Sequence, residues 1–247
     1  MGKLLSAIIT LLFISSTSLL AAPINYQSSP RQTALLELYT SEGCSSCPPA
    51  DRWLSSLKKQ EGLWQDFIPI ALHVDYWDYI GWKDRFASPI FAARQRQYAK
   101  EQAVSTVYTP GFTYNGTEFR SWYKKDAGDF PQGDKPGILK LQLVDNQASI
   151  KFTPTAMTKN NLKVNLALLG FALQTQIKAG ENKGKKLAHD FVVLAMSQAI
   201  LDKKDNEFTL QLDMPSSDIK SKRYGVVAWV NNAGSQKPIQ TVGGWLQ

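Results

Sequence analysis

The sequence predicts an α/β domain followed by an all-β, sandwich-like domain, and three observations carry that expectation. Residues 31–120 alternate short apolar runs with helical patterns, as strands joined by helices do. Residues 137–247 carry many short strand-like runs, turn residues between them and no long helical face. Between the two, residues 121–136 hold Gly128, Pro131, Gly133 and Pro136 and read as a linker or an irregular end of the first domain. With 247 residues, 43% hydrophobic and 20% charged, the chain is long enough for both cores and is neither disordered nor fibrous.

Residues 1–22 read as a signal peptide. Lys3 is the only charge before residue 23, residues 4–20 are apolar or small, and Ala21-Ala22 form a small-residue exit. The alternative is an uncleaved membrane anchor, which the Ser and Thr content weakens. No later run approaches spanning length, so the mature protein is expected to be soluble and periplasmic or secreted, in a bacterium. A cysteine pair stays oxidised there.

The first strand candidate is residues 33–40, mostly apolar, with Gly43 in the turn after it. Pro48 and Pro49 open a helix whose Ala50, Trp53, Leu54 and Leu57 share one face. Residues 67–74 form a second strand candidate. Ser88-Pro89 starts a second helix, with Ser88 as cap and proline in the first position. Thr109-Pro110 leads into a third strand at 112–114, and Asn115-Gly116 is a turn signal. This order predicts a right-handed βαβ unit with a parallel core. In the second domain, 138–144 and 149–152 flank Asp145-Asn146 as a hairpin. Further runs lie at 161–169, 172–177, 191–195, 208–212, 226–230 and 238–245.

Of the net charge of +7, Lys3 contributes +1 and the second half the other +6. Residues 23–136 hold 13 basic and 13 acidic side chains; residues 137–247 hold 14 and 8. The excess is scattered through turn-like stretches at Lys183, Lys185 and Lys186, at Lys203-Lys204, and at Lys220, Lys222 and Arg223. These read as solvated loops, and no nucleic-acid partner is expected.

Two cysteines make neither a dense disulfide scaffold nor a four-cysteine zinc site. Both sit in Cys44-Ser45-Ser46-Cys47, between a strand and a helix. A helix N-terminus offers free N–H groups and a partial positive charge, which stabilise a thiolate. Cys44, read as the more exposed, is the expected nucleophile, and Cys47 resolves the mixed disulfide. Pro48 sets the helix start near Cys47, while Glu42 and Asp51 oppose thiolate formation. As a permanent disulfide the pair closes a very small loop of low entropic value, which favours redox or ligand chemistry.

Two further markers surround it. Beside a Cys-x-x-Cys, a cis Thr109–Pro110 bond would present backbone to an extended substrate. His73 and Asp75 end the second strand on one face, on the same sheet edge as Cys44. They are candidates for a proton relay or ligands; the alternative for His73 is a strand-end histidine bonded to a loop carbonyl. Tyr76, Trp77, Tyr79 and Trp82 form an aromatic loop in which Trp77 is a candidate substrate contact. His189, the only other histidine, reads as structural.

Residues 37–51 around Cys44-Ser45-Ser46-Cys47-Pro48-Pro49, together with His73-Val74-Asp75-Tyr76-Trp77-Asp78-Tyr79, Gly81-Trp82-Lys83-Asp84, Phe86-Ala87-Ser88-Pro89 and Val107-Tyr108-Thr109-Pro110, resemble the exported bacterial domain-of-unknown-function 1223 family. Gly180-Glu181-Asn182-Lys183-Gly184 looks like its C-terminal signature. The resemblance implies a thioredoxin-like first domain, Cys44 and Cys47 as the redox pair, and Pro110 at the cis-proline position. It implies no reaction. The chain departs from the thioredoxin-like pattern after Asn115-Gly116, where the closing helix is short or absent.

The expected function is an exported thiol–disulfide oxidoreductase acting through Cys44 and Cys47, with Thr109, Pro110 and Trp77 on the substrate side. Its partner would be a periplasmic thiol or disulfide protein or a small thiol, with no cofactor beyond the redox-active disulfide. One alternative is a Cu(I)-binding or metallochaperone protein using the same cysteines. Another is a non-catalytic binding module with a structural disulfide.

Overall fold

The computed structural model describes residues 22–124 and 133–246. The expected signal peptide, but for its last residue, and residues 125–132 of the expected linker lie outside the described residues.

Strand β1 is Ile24–Gln27, and β2 is Ala34–Thr40, buried at all its positions. Helix α1 (Pro48–Ser56) starts at the paired prolines, with Cys47 at its N-cap. Then come β3 (Phe67–His73), α2 (Pro89–Lys100), β4 (Gly111–Tyr114) and β5 (Thr117–Glu118). Ser88 is extended at the N-cap of α2 but makes no side-chain capping bond there. β2 and β3 pair in parallel, from Ala34 opposite Phe67 to Thr40 opposite His73, so both strands end on one edge. β4 lies antiparallel to β2. Asn115 and Gly116, at φ 47° and 76°, turn β4 into β5 as expected of an Asn-Gly pair.

The remaining strands are β6 (Gly137–Val144), β7 (Gln147–Pro154), β8 (Leu162–Phe171), β9 (Leu173–Gln176), β10 (Lys186–His189), β11 (Val192–Ile200), β12 (Asp202–Lys204), β13 (Glu207–Asp213), β14 (Arg223–Asn232) and β15 (Pro238–Trp245). β6 and β7 form the hairpin expected at Asp145-Asn146.

The expected α/β thioredoxin-like domain followed by a separate sandwich is not the architecture found. The described residues are mostly β, with only two α-helices, and the strands of the first half have no sheet of their own. One eight-stranded sheet runs β15-β14-β8-β11-β3-β2-β4-β5. Its two halves join where β11 lies parallel to β3, with Val192 opposite Ala71, and the Ala71 N–H donates to the Phe191 carbonyl at 2.8 Å. An antiparallel five-stranded sheet, β1-β6-β7-β13-β12, and a β9-β10 ribbon complete the fold.

The core explains this arrangement. Leu162, Val164 and Leu166 of β8, with Val226, Ala228 and Val230 of β14, pack with Leu139, Leu141, Ile150, Phe152 and Phe208 of the five-stranded sheet. The alternate residues Ala167, Leu169, Phe171, Val227 and Trp229 pack with Leu36, Leu38, Ile68 and Ile70. At β8 and β14 both faces of the long sheet are therefore covered, and most of their positions are buried. By contrast β6, in the outer sheet, alternates buried with exposed or half-buried positions. A buried ion pair ties α2 beneath the long sheet: Arg94 Nε donates to Glu37 Oε1 at 2.6 Å, and Arg94 lies 5.1 Å from the Trp229 ring. No described helix is long and apolar enough to cross a membrane.

Candidate functional site

The turn after β2 carries the two cysteines into α1. Cys44 and Cys47 form a disulfide, with Cα atoms 5.4 Å apart. The Cys47 carbonyl accepts from Ala50 and Asp51 N–H at 2.9 and 3.1 Å, which anchors the pair to the first turn of α1. Cys44 is not the more exposed member: both cysteines are 0% exposed, while Ser45 and Ser46 between them are exposed.

A loop from the other half of the chain is the reason. Asn182 Nδ2 donates to the carbonyls of Glu42 and Cys44, each at 2.9 Å, and Glu181 Oε2 accepts from Ser45 N–H at 3.0 Å. Lys185 Nζ donates to Asn182 Oδ1, fixing the amide's orientation. Gly180 sits at φ 71°, where a side chain would come within 3.3 Å of Ile80 and Trp82, so the Gly-Glu-Asn run is shaped to lie over the cysteine turn.

Trp77, Thr109 and Pro110 meet on another side of the turn. A side chain at Gly43 would touch Trp77 Cβ at 3.0 Å, and Trp77 Nε1 donates to Thr109 Oγ1 at 2.7 Å. The Thr109–Pro110 peptide bond is cis. Asp75 is half-buried in the loop after β3, and its carbonyl accepts from Asp78 N–H.

Beside the disulfide turn lies a cluster of buried charges. His73 Nδ1 is 2.7 Å from Asp84 Oδ2, so the histidine pairs with a carboxylate rather than a loop carbonyl. The same carboxylate accepts from the N–H groups of Glu42 and Phe86, at 2.8 and 2.9 Å. Burial opposes charge on His73, but Asp84 outweighs it and holds the imidazole above its ordinary value. Burial likewise pulls Asp84 up, yet His73 keeps it below the usual carboxylate range.

His189, at the end of β10, is part of the same cluster. Its ring centroid is 5.0 Å from that of His73. Its Nε2 is 3.3 Å from Glu42 Oε1, and its Nδ1 is 3.9 Å from Asp51 Oδ2. Asp51 accepts from Thr40 Oγ1 at 3.2 Å, and burial pushes its carboxyl up against the pull of His189 and His73. One ligand-type atom each of Asp51, His73 and His189 lies within 4.8 Å of the other two. From the sequence, Glu42 and Asp51 had counted only as negative neighbours, and Asp84, Asn182 and His189 had no site role. The available signals were the 180–184 run and the presence of just two histidines in the chain.

Fold and site together define a mostly β protein with a covered Cys-x-x-Cys disulfide at a helix start, backed by buried histidines and carboxylates. The chain belongs to the family described as Protein of unknown function (DUF1223), whose model matches residues 35–231. Its fold is similar to the crystal structure of a protein from Agrobacterium tumefaciens, at 23% identity over 85% of this chain and 92% of that one, with a TM-score of 0.58. It is also similar to HBP35 of Porphyromonas gingivalis, at 16% identity over 89% of this chain and 76% of that one, with a TM-score of 0.63. At these identities the likeness is one of fold alone. No curated protein sequence matches it.

Proposed function

We propose that this protein is a thiol–disulfide oxidoreductase working outside the cytoplasm, on protein or small-molecule disulfides, with Cys44 and Cys47 as its redox pair. The observation that carries the reading is that both cysteines of the chain are joined across the start of α1. A thiolate released there meets the helix N-terminus. The apolar, small-residue composition of residues 4–20 after Lys3 supports export.

In the reducing direction, Cys44 Sγ attacks one sulfur of a substrate disulfide. The substrate S–S bond breaks, an S–S bond to Cys44 forms, and the other substrate sulfur leaves as a thiolate that takes up a proton. Cys47 Sγ then attacks Cys44 Sγ, re-forming the internal disulfide and releasing the second substrate thiol. Two electrons pass to the substrate, and a dithiol reductant must return them. The reverse sequence oxidises a substrate dithiol. Trp77, Thr109 and Pro110 supply the ledge along which the substrate lies, and the Asn182 loop must lift for access.

Equilibrating the full chain with glutathione buffers, followed by alkylation of free thiols, tests this. A midpoint near about −270 mV marks a reductant and one near about −120 mV an oxidant. Absence of exchange at every glutathione ratio, together with a Cys47→Ser protein that holds no mixed disulfide, would overturn the reading.

A further inference from the structure

We propose that Asp51, His73 and His189 form an enclosed binding site for one divalent transition-metal ion of the Zn2+ type, beside the disulfide but independent of its sulfurs. The three residues come from separate elements: the first turn of α1, the end of β3 and the end of β10. They are 6%, 0% and 2% exposed. Their ligand atoms all lie within 4.8 Å of one another. Tetrahedral metal–ligand bonds of about 2.0–2.2 Å set ligand atoms about 3.3–3.6 Å apart, so side-chain rotation must draw the widest pair together by up to about 1.5 Å on binding.

The buried nitrogens point to a ligand. His73 Nε2 and both ring nitrogens of His189 have no hydrogen-bond partner, although both rings are buried. Buried imidazole nitrogens are ordinarily satisfied, so three left open in one cluster need an occupant. The opposite nitrogen of each ring faces a carboxylate: Asp84 lies 2.7 Å from His73 Nδ1, and Glu42 lies 3.3 Å from His189 Nε2. For His73 this is the carboxylate–histidine–metal arrangement, in which the outer carboxylate sets the tautomer and turns the free nitrogen toward the ion; Glu42 Oε1 makes no hydrogen bond to His189 Nε2.

Charge favours the same occupant. Asp51, Asp84 and Glu42 are all buried, and among the described residues no Lys or Arg forms an ion pair with any of them. Buried carboxylates are ordinarily paired or bound to metal. Two imidazoles with one carboxylate suit zinc and its neighbours better than calcium or magnesium, which take oxygen ligands.

The test uses the oxidised full chain, stripped with chelator and titrated with Zn2+ in a calorimeter. Expected are one ion per chain, a dissociation constant of micromolar or below, and a rise in melting temperature. His189→Gln and Asp51→Asn should each weaken binding at least about 100-fold, whereas the Cys44→Ser/Cys47→Ser protein should bind as the parent does. Should either cluster variant fail to fold by circular dichroism, Co2+ in the unaltered oxidised protein decides. Visible d–d bands without a sulfur-to-cobalt charge-transfer band support the site; featureless spectra overturn it. Absence of saturable Zn2+ binding, or binding lost with the cysteines and kept without His189, also overturns it. Glutathione exchange and zinc binding report on different atoms, so either result stands without the other.

Discussion

At the residue scale, Asn182 holds the cover over the cysteine turn. Its amide is fully buried and donates to two carbonyls, one of them that of Cys44. With the amide removed, the Cys44 carbonyl keeps only the Cys47 N–H at 3.3 Å and the Glu42 carbonyl loses its Asn182 donor; an unsatisfied buried group costs about 1–3 kcal/mol. Asn182→Ala is therefore expected to lower stability by about 1–3 kcal/mol and to loosen the 180–184 loop. Reduction of the disulfide by dithiothreitol, followed by alkylation and mass spectrometry, should become several-fold faster; an unchanged rate would show that access runs by another route. No local pattern announces such a residue. Asn182 lies 138 positions from Cys44, and a Gly-Glu-Asn turn reads as surface when its target is unknown. Cys44, Cys47, Trp77, Thr109 and His73 were legible because short motifs and neighbouring strand ends specify them. His189 was not, because its partners are set by how the β9-β10 ribbon folds back, pairing Leu173 with His189; Asp84 was not, because the irregular loop after β3 brings it back onto His73.

At the element scale, β8 and β14 decide the architecture. Their runs were legible as strands, yet they were assigned to a sandwich whose outer face meets water. Such a strand alternates, whereas β14 has seven consecutive buried positions, residues 225–231. That continuity is the mark of a strand covered on both faces. It follows that neighbouring positions of opposite facing should be equally intolerant. Leu166→Ala, toward the five-stranded sheet, and Leu169→Ala, toward the helical side, should each cost about 2–5 kcal/mol in urea unfolding, since both side chains are 0% exposed. A one-sided strand would lose that much at only one of the two. The helices and turns were easier to read. Pro48, Pro89 and Asn115-Gly116 fix local backbone whatever packs against it.

At the scale of the whole molecule, the eight-stranded sheet makes the two halves one folding problem. The fragment 23–136 keeps the cysteines but loses β11 beside β3, the Asn182 loop and His189. It also leaves the edge of β3 unpaired and Arg94 without the Trp229 ring above it. Expressed alone, it should show no cooperative thermal transition and should aggregate, whereas the full chain melts in one transition. A soluble, cooperatively folded fragment would refute this coupling. The composition shift near residue 136 was real as a change of pattern, from helix-joined strands to hairpins. What it could not reveal is that strands from both sides hydrogen-bond into one sheet, because pairing between distant strands leaves no trace in local periodicity.

The long interval between the cysteines and their cover also has a consequence in time. A chain emerging from its N-terminus presents Cys44 and Cys47 well before Asn182 and His189 exist outside the machinery that makes or threads it. During that window the two thiols are open to any oxidant, with nothing lying over them. The disulfide can thus be written into the nascent chain early and sealed late, when the last third arrives.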